Sequence, residues 1–425
     1  MNIVEEMTAE TTGLGASMTR SALEAWQLEK VRGVLSYAAQ NSAFYSERLV
    51  IVKPENIRSI TDLDRIPFTA ASDVGKAPRA FLCVPQKEVA RAASLRTSGT
   101  TAPSKRIFFT QGDMERTVRF FSRGMLPIVG GGKSVLIMMS NSTPDSVAAL
   151  LRRGLEASGI AARIHGHIAD ADFAAREAAR FDCLVGVPAE MLYLCRTYPH
   201  LRPKSVLLSA DYVSERLIAA IRETWRCRVY THYGMTETCY GCAVQTEENA
   251  LHRVRHEDML IEIIDPRTGT RLADGRSGEV VITTFANRAM PLIRYRTGDI
   301  SALGTDTTSA DALPGLTRIF GRLGNALSLG GGVTISVERL DDLIYGINDV
   351  KAYRAVLKKG AGLRVEVDCA LEKTADSVRK ELLAEFGGVS VRVERAALPP
   401  SVGTGKRKII VEEEDKCSAI SAKMR

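Results

Sequence analysis

KSVLLSADYVSERLIAAIRETWRCRVYTHYG, residues 204–234, reads as a strand (204–210), a helix over VSERLIAAIRETW (213–225) and a second strand over RVYTHYG (228–234). The same alternation runs upstream. KSVLIMM (133–139) is a buried strand, and PDSVAALLRRGLEASG (144–159) is a helix closed by Gly159. AARIHG (161–166) is a short strand and DADFAAREAARF (170–181) a helix; DCLVGVP (182–188) is a strand ending in Pro188, and AEMLYLCRTY (189–198) is a helix. Alternation of this kind implies a largely parallel sheet with helices on its faces.

Working outward, residues 1–20 are polar and small and are expected to fray. ALEAWQLEKVRGVLSYAAQ (22–40) has helical periodicity, with Trp26, Leu28, Val31, Val34 and Leu35 on one face. Residues 91–110 read as a strand, a Thr/Ser/Gly loop and another strand, followed by a helix over DMERTVRFFSRGM (113–125). After residue 255 the texture changes: DMLIEIIDPRTGTRLADGRSGEVVITTF (258–285) has short strands and Gly-containing turns, as an antiparallel unit does. SALGTDTTSADALP (301–314) is a polar loop. From about residue 326 the order is β, α (SVERLDDLIYGI), β (KAYRAVLKK), β (LRVEVDCAL), α (TADSVRKELLAEF), β (SVRVERAAL). The expected architecture is α/β. A large N-terminal domain (1–321) has mixed, mostly parallel sheets and a β subdomain, a hinge follows at 322–325, and a small mobile α+β domain occupies 326–425.

The chain has 425 residues, of which 45% are apolar and 25% charged, enough for a packed core in more than one domain. A formal charge of +7 suits anionic small molecules. There is no Lys/Arg run interleaved with aromatics, so nucleic acid is not an expected partner. No stretch reaches the roughly 18 apolar residues of a membrane helix. MNIVEEMTAE is acidic and has no apolar core, so it is not a secretory signal. Eight scattered cysteines without such a signal point to reduced thiols in a cytoplasm.

Four segments carry chemistry. TSGTTAPSK (Thr97 to Lys105) places small hydroxyl residues around Gly99, where backbone and hydroxyls can approach a phosphate and Lys105 can add charge. Read alone, it also fits a flexible polar loop, and it is not a Walker A loop because GxxxxGK(S/T) is absent. YGMTE (Tyr233, Gly234, Met235, Thr236, Glu237) follows a predicted strand, where ligands bind in α/β sheets; the tyrosine can stack on a purine and the glutamate can hold Mg²⁺. RYRTGD (Arg294 to Asp299) puts Asp299 in a Gly turn, expected to be solvent-accessible and suited to accept from two ribose hydroxyls, or simply to close a β-turn. GTGKRK (Gly403 to Lys408) fits either a mobile loop delivering a lysine or a solvated basic run.

Together, in this order, the four segments resemble the adenylate-forming superfamily, and nearly the whole chain resembles its phenylacetate–CoA ligase branch. ALEAWQLEKVRGVLSYAAQNSAFYSERL and LDRIPFT look like that branch's N-terminal helix and entry loop, and GRSGEVVITTFANRAMPLIRYRTGDIS like its segment leading to a ribose-binding aspartate. The resemblance implies ATP-dependent activation of a carboxylic acid, aryl or short acyl, to an acyl-AMP with release of pyrophosphate, then thioester formation with CoA. A different acceptor, such as a carrier-protein thiol, an amine or a deazaflavin hydroxyl, is the alternative. It implies an N-terminal adenylation domain in which Thr97, Ser98, Gly99, Thr100, Thr101 and Lys105 form the phosphate loop. Ser209, Ala210 and Asp211 stand where the branch has a Gly-Ala-Glu type turn beside the adenine. Tyr233 and Gly234 lie near the adenine and acyl group, Thr236 touches the AMP phosphate, Glu237 holds Mg²⁺ and Asp299 binds the ribose. Arg322, in FGRLGN, ends the large domain. Lys406 looks like the C-terminal catalytic lysine, with Lys408 as the alternative. A homodimer rests on family analogy alone.

The chain also departs from the pattern. Ala102 replaces a usual Gly, and Gly324 and Asn325 occupy the region where the hinge usually carries Asp. Many relatives hold zinc through a Cys-x-Cys-Gly element after the ribose aspartate. Residues 301–316 contain no cysteine, and Thr246 stands where an upstream Cys is expected, so zinc is not expected. Cys239-x₂-Cys242-x₉-His252-x₃-His256 only superficially resembles a Cys₂His₂ site, and His165 and His167 are assigned structural or pocket-lining roles.

Overall fold

The computed structural model describes residues 1–95, 105–306, 312–330, 333–358, 362–400, 407 and 409–412. Strands β1 (Arg91–Leu95) and β2 (Lys105–Phe109) form an antiparallel pair. β3 (Ser134–Met138), β4 (Ala161–Ile164), β5 (Cys183–Gly186), β6 (Ser205–Leu208) and β7 (Arg228–Tyr233) then build the main sheet. They pair in parallel, in the order β4-β3-β5-β6-β7, and the short β8 (Ala243–Val244) and β9 (Arg253–Val254) extend it antiparallel. Alternation along β3 shows why the strand is apolar throughout. Val135 and Ile137 enter one hydrophobic cluster and Leu136 and Met138 another, so both faces of the sheet are covered.

Three of the helices between these strands open on a side-chain cap, from Ser146, Asp170 and Ser214. Ser146 Oγ accepts from Ala149 N–H at 3.2 Å and opens helix Val147–Ala157, beyond which Gly159 takes φ +73°. Pro188 does not end β5. It is the first residue of helix Pro188–Thr197, where a missing N–H costs no hydrogen bond.

The N-terminus is helical rather than frayed. Asn2 and Glu5 form a reciprocal capping box on helix Ile3–Thr12, Val4 and Met7 are buried, and Thr8 donates to Glu257 at 2.7 Å. In helix Arg20–Asn41, Leu28, Val31, Val34 and Leu35 face the core as expected. Trp26 is only half-buried and meets Phe285 edge-on at 5.7 Å.

β10 (Met259–Ile264), β11 (Gly278–Thr284) and β12 (Tyr295–Ser301) form the expected antiparallel unit, which strand Gly321–Arg322 completes beside β12. The following turn contains Gly324 at φ +81°, in the segment expected to hinge. Beyond it, helices Val337–Ile344 and Glu372–Glu385 accompany strands Ala352–Lys358, Gly362–Asp368, Val391–Arg395 and Ile410–Glu412. The last of these strands pairs in parallel with Ala352–Lys358. Val337, Leu340 and Ile344 share a hydrophobic cluster with Leu217, Ile221 and Trp225 of helix Glu215–Trp225. Arg196 donates to the carbonyls of Tyr345, at 2.8 Å, and Val350.

Candidate active site

Of the expected site residues that the structure describes, Lys105, Ser209, Ala210, Asp211, Tyr233, Glu237 and Asp299 lie around the C-terminal ends of β6 and β7. β7 runs into Tyr233 and the chain then turns at Gly234, where a Cβ would fall 1.6 Å from the carbonyl oxygen of Tyr240. Only glycine permits that approach. A single 3₁₀ turn, Thr236–Thr238, follows and carries Glu237 inward, leaving Thr236 half-buried.

Glu237 is 6% exposed. Its Oε1 accepts from Lys105 Nζ at 2.5 Å and from the Tyr295 hydroxyl at 3.0 Å, and Lys105 Nζ also lies 3.2 Å from that hydroxyl. Burial opposes the charge on Glu237, but the Lys105 ammonium outweighs it and holds the carboxyl below its ordinary range. Burial and the Glu237 carboxylate push the Tyr295 phenol up, so it stays a donor. β2, the turn after β7 and the start of β12 each supply one member of the triad. Tyr295 lies inside the RYRTGD motif, where Asp299 drew the reading; its motif position was the available signal.

Asp299 lies within β12 rather than at an exposed turn. It is 6% exposed, because β12 continues past Gly298 (φ +78°) and pairs Asp299 with Arg322. Its Oδ2 accepts from the Tyr233 hydroxyl at 2.9 Å, and Arg322 Nε stands 3.7 Å from Oδ1. The expectation of an accessible carboxylate is therefore corrected. Strand pairing and two polar partners bury it, and Tyr233, only 7% exposed, has its hydroxyl committed to that carboxylate.

Ser209, Ala210 and Asp211 form the turn after β6. Ser209 Oγ lies 2.9 Å from His232 Nδ1, Ala210 takes φ +76°, and Asp211 Oδ2 faces Arg407 Nε at 3.4 Å. Arg407 went unnoticed in the sequence because GTGKRK was read for its lysines. Its guanidinium forms a fork with buried Asp341, 2.6 Å on the Nη1 side, and Nη1 also donates to Tyr345 at 3.0 Å. The residue after Lys406 is thus anchored to the turn after β6. Thr97, Ser98, Gly99, Thr100, Thr101, Lys406 and Lys408 lie outside the described residues.

The suspected Cys/His set has other partners. His252 Nε2 meets Thr231 Oγ1 at 2.7 Å and its Nδ1 meets Thr317 O at 3.1 Å; His256 Nε2 meets Pro314 O at 2.8 Å; Cys242 Sγ meets Thr238 Oγ1 at 3.0 Å. Among the described residues no three His, Cys, Asp or Glu side chains come together as a metal would require. His167 pairs with Glu190 at 2.7 Å, joining the segment after β4 to the helix after β5.

A buried Lys–Glu–Tyr triad and a Tyr–Asp pair thus lie beyond the strand ends of an α/β sheet, the position where such folds bind ligands. Residues 47–286 match the model of the AMP-binding enzyme family, and the chain belongs to that family, in its phenylacetate–CoA ligase-like branch. The chain is 27% identical over 419 residues to the phenylacetate-coenzyme A ligase of Pseudomonas putida, covering 93% of this chain and 87% of that one. It is 25% identical over 372 residues to the enzyme of the same name from Thermus thermophilus, covering 84% and 82%. Among solved structures, 2-hydroxyisobutyryl-CoA ligase in the postadenylation state superposes with a TM-score of 0.79 at 18% identity, covering 96% of this chain and 93% of that one.

Proposed function

We propose that this chain is an ATP-dependent, AMP-forming acid–thiol ligase. It activates an aryl or short acyl carboxylic acid as an acyl-AMP, releases pyrophosphate and passes the acyl group to CoA. The observation that carries the reading is the buried Lys105–Glu237–Tyr295 triad beside the Tyr233–Asp299 pair. In this state the triad neutralises itself. An incoming triphosphate offers Lys105 a new anion and frees Glu237, a carboxylate held in its charged form. A hard anionic oxygen of that kind fits Mg²⁺, which binds through one or two carboxylates plus substrate phosphates. When bound, the ion supplies charge neutralisation at the phosphates.

The remaining work belongs to the chain. Asp299 accepts from the ribose hydroxyls, Arg322 steadies that carboxylate, and the turn Ser209–Asp211 borders the adenine. Thr97–Thr101 line the phosphates, Thr236 contacts the α-phosphate and Lys406 meets the charge developing there. In such reactions the protein contributes chiefly position and electrostatics. The hinge at 322–325 and rotation of the small domain 326–425 between half-reactions belong to the same reading, as do cytoplasmic location and the absence of a structural zinc. No described helix is long and apolar enough to cross a membrane.

Three assays on the purified protein test this. Pyrophosphate release must require both ATP and an acid. Hydroxylamine must trap the activated acyl group, and CoA must be consumed in step with AMP formation. Release and trapping without CoA consumption would move the acceptor to another thiol, an amine or a hydroxyl, whereas no release with any acid would end the ligase reading. Elemental analysis giving about one zinc per chain would overturn the metal assignment.

A further inference from the structure

Successive residues of β7 point to opposite faces of the sheet. Tyr233 turns to Asp299, whereas His232 turns to a cavity whose lining shares only Ser209 with the groups assigned to the nucleotide. Phe120, Phe121 and Met125 of helix Gln111–Val129 wall that cavity, with Leu151 of helix Val147–Ala157, Val185 of β5 and Leu207 of β6. The lining is almost wholly apolar. Its polar end consists of Ser209 and His232, joined by the 2.9 Å contact between Ser209 Oγ and His232 Nδ1. The Phe120 and Phe121 rings stand 6.2 and 5.9 Å from the imidazole. His232 Nε2 is buried and has no hydrogen-bond partner among the described residues.

An unpaired nitrogen in an apolar wall costs free energy unless something pairs with it. Burial, reinforced by the charges of His252 and Arg255, pushes the His232 pKa down to about 3, so the ring is neutral at physiological pH. One nitrogen of a neutral imidazole donates and the other accepts. If Ser209 donates to Nδ1, Nε2 carries a hydrogen; if Ser209 accepts from it, Nε2 is a bare acceptor. A hydroxyl satisfies Nε2 in either tautomer.

The cavity adjoins the ends of β6 and β7 that carry the candidate site. Ser209 immediately precedes Ala210 and Asp211, and His232 immediately precedes Tyr233. We infer that this cavity holds the body of the substrate acid and that the substrate is a compact, mostly apolar hydroxy acid whose hydroxyl pairs with His232 Nε2, held in register by Ser209. The assignment rests on the ligase reading above and deepens it. In the present state the cavity holds about 20 Å³ of free space, room for about one water. The acid enters by displacing Met125 and Met139, whose unbranched thioether chains adapt at low cost.

The test compares matched acids that differ by one hydroxyl. Phenylacetate is set against its ring-hydroxylated forms, and isobutyrate against its hydroxylated forms. Each is measured on the wild type, His232→Leu and Ser209→Ala, both by acid-dependent pyrophosphate release and by titration calorimetry of the acid. In the wild type, one hydroxylated acid should exceed its parent by about 10- to 100-fold in kcat/KM and in affinity. The series in which this occurs tells an aryl from an aliphatic substrate. In His232→Leu the ratio should fall to about one, and in Ser209→Ala it should fall part of the way. If His232→Leu does not fold, Ser209→Ala carries the comparison. A hydroxyl preference in binding without pyrophosphate release would remove the ligase reading and leave the pocket standing. Pyrophosphate release with the parent acids favoured in both series, or a preference unchanged in both variants, would overturn the pocket.

Discussion

Two buried ion pairs stand on either side of the segment 322–325, and they are built differently. Lys105 and Glu237, before that segment, meet through a single short contact helped by one phenol. Arg407 and Asp341 form a two-pronged fork backed by Tyr345, Tyr353 and Asp211, so nearly every donor and acceptor is taken. Desolvation penalises both, and such a pair persists only where partners repay it. The over-bonded pair is therefore a structural clamp. On the function proposed above, the sparsely bonded pair keeps two charges ready for a ligand that would separate them. Burial alone does not distinguish the two; the number of partners does.

This contrast can be broken by experiment. The largest stability loss should come from Arg407→Met, which strands the Asp341 carboxylate in the core. The expected cost is about 3–5 kcal/mol by denaturant titration, with part of it recovered on adding Asp341→Asn. If Arg407→Met unfolded no more easily than the wild type, the clamp assignment would fail. Glu237→Gln should do the reverse, lowering acid-dependent pyrophosphate release by about 10²–10³ with a smaller shift in melting temperature. Lys406→Ala should slow adenylation by about the same 10²–10³ while affecting consumption of preformed acyl-AMP by the thiol less. A larger effect from Lys408→Ala would move the role two residues along.

Asp299→Ala comes next, at about 3 kcal/mol, or about a hundredfold in ATP affinity, for two charge-assisted bonds to the ribose. 2′-Deoxy-ATP should lose about one bond's share in the wild type and little more in the variant. Strict additivity in that cycle would mean that Asp299 does not hold the ribose.

The smallest effect concerns His167. Its hydrogen bond to Glu190 raises its pKa above 6.5 against the opposing pull of burial. A raised histidine pKa adds stability that is complete below the unfolded value and disappears as pH rises through the folded one. His167→Gln should therefore cost under about 1 kcal/mol near pH 5.5 and nearly nothing by about pH 8. A cost that grew with pH would contradict the pairing.

The parallel sheet was legible because β3, β5 and β6 are short apolar runs separated by helices that open on a side-chain cap or on Pro188, a pattern that few other folds accommodate. Tyr233, Glu237 and Asp299 were legible as members of motifs, but their partners were not. The Lys105–Glu237 contact joins residues 132 positions apart, and Tyr233–Asp299 joins residues 66 apart. No local pattern encodes such distances. Asp299 was misread as exposed for the same reason: RYRTGD looks like a turn until Arg322 pairs against it. The N-terminal helix was missed because its polar composition conceals Val4 and Met7, spaced one helical turn apart. Arg407 was overshadowed by the lysines on either side.

The seven described cysteines, Cys83, Cys183, Cys195, Cys227, Cys239, Cys242 and Cys369, are all buried. Burial pushes the thiols of the first four up to about 12 and those of Cys239 and Cys242 to about 11. Thiolate, the reactive form, is scarce at neutral pH in every one of those six. An alkylating reagent can therefore reach them only through openings of the structure, and the rate of modification at each becomes a local clock of unfolding. Cys239 and Cys242 follow the turn that carries Glu237, whereas Cys195 lies on the helix whose Arg196 bonds Tyr345 and Val350. Mass spectrometry of native alkylation, with and without ATP, would time the two regions separately within a single sample.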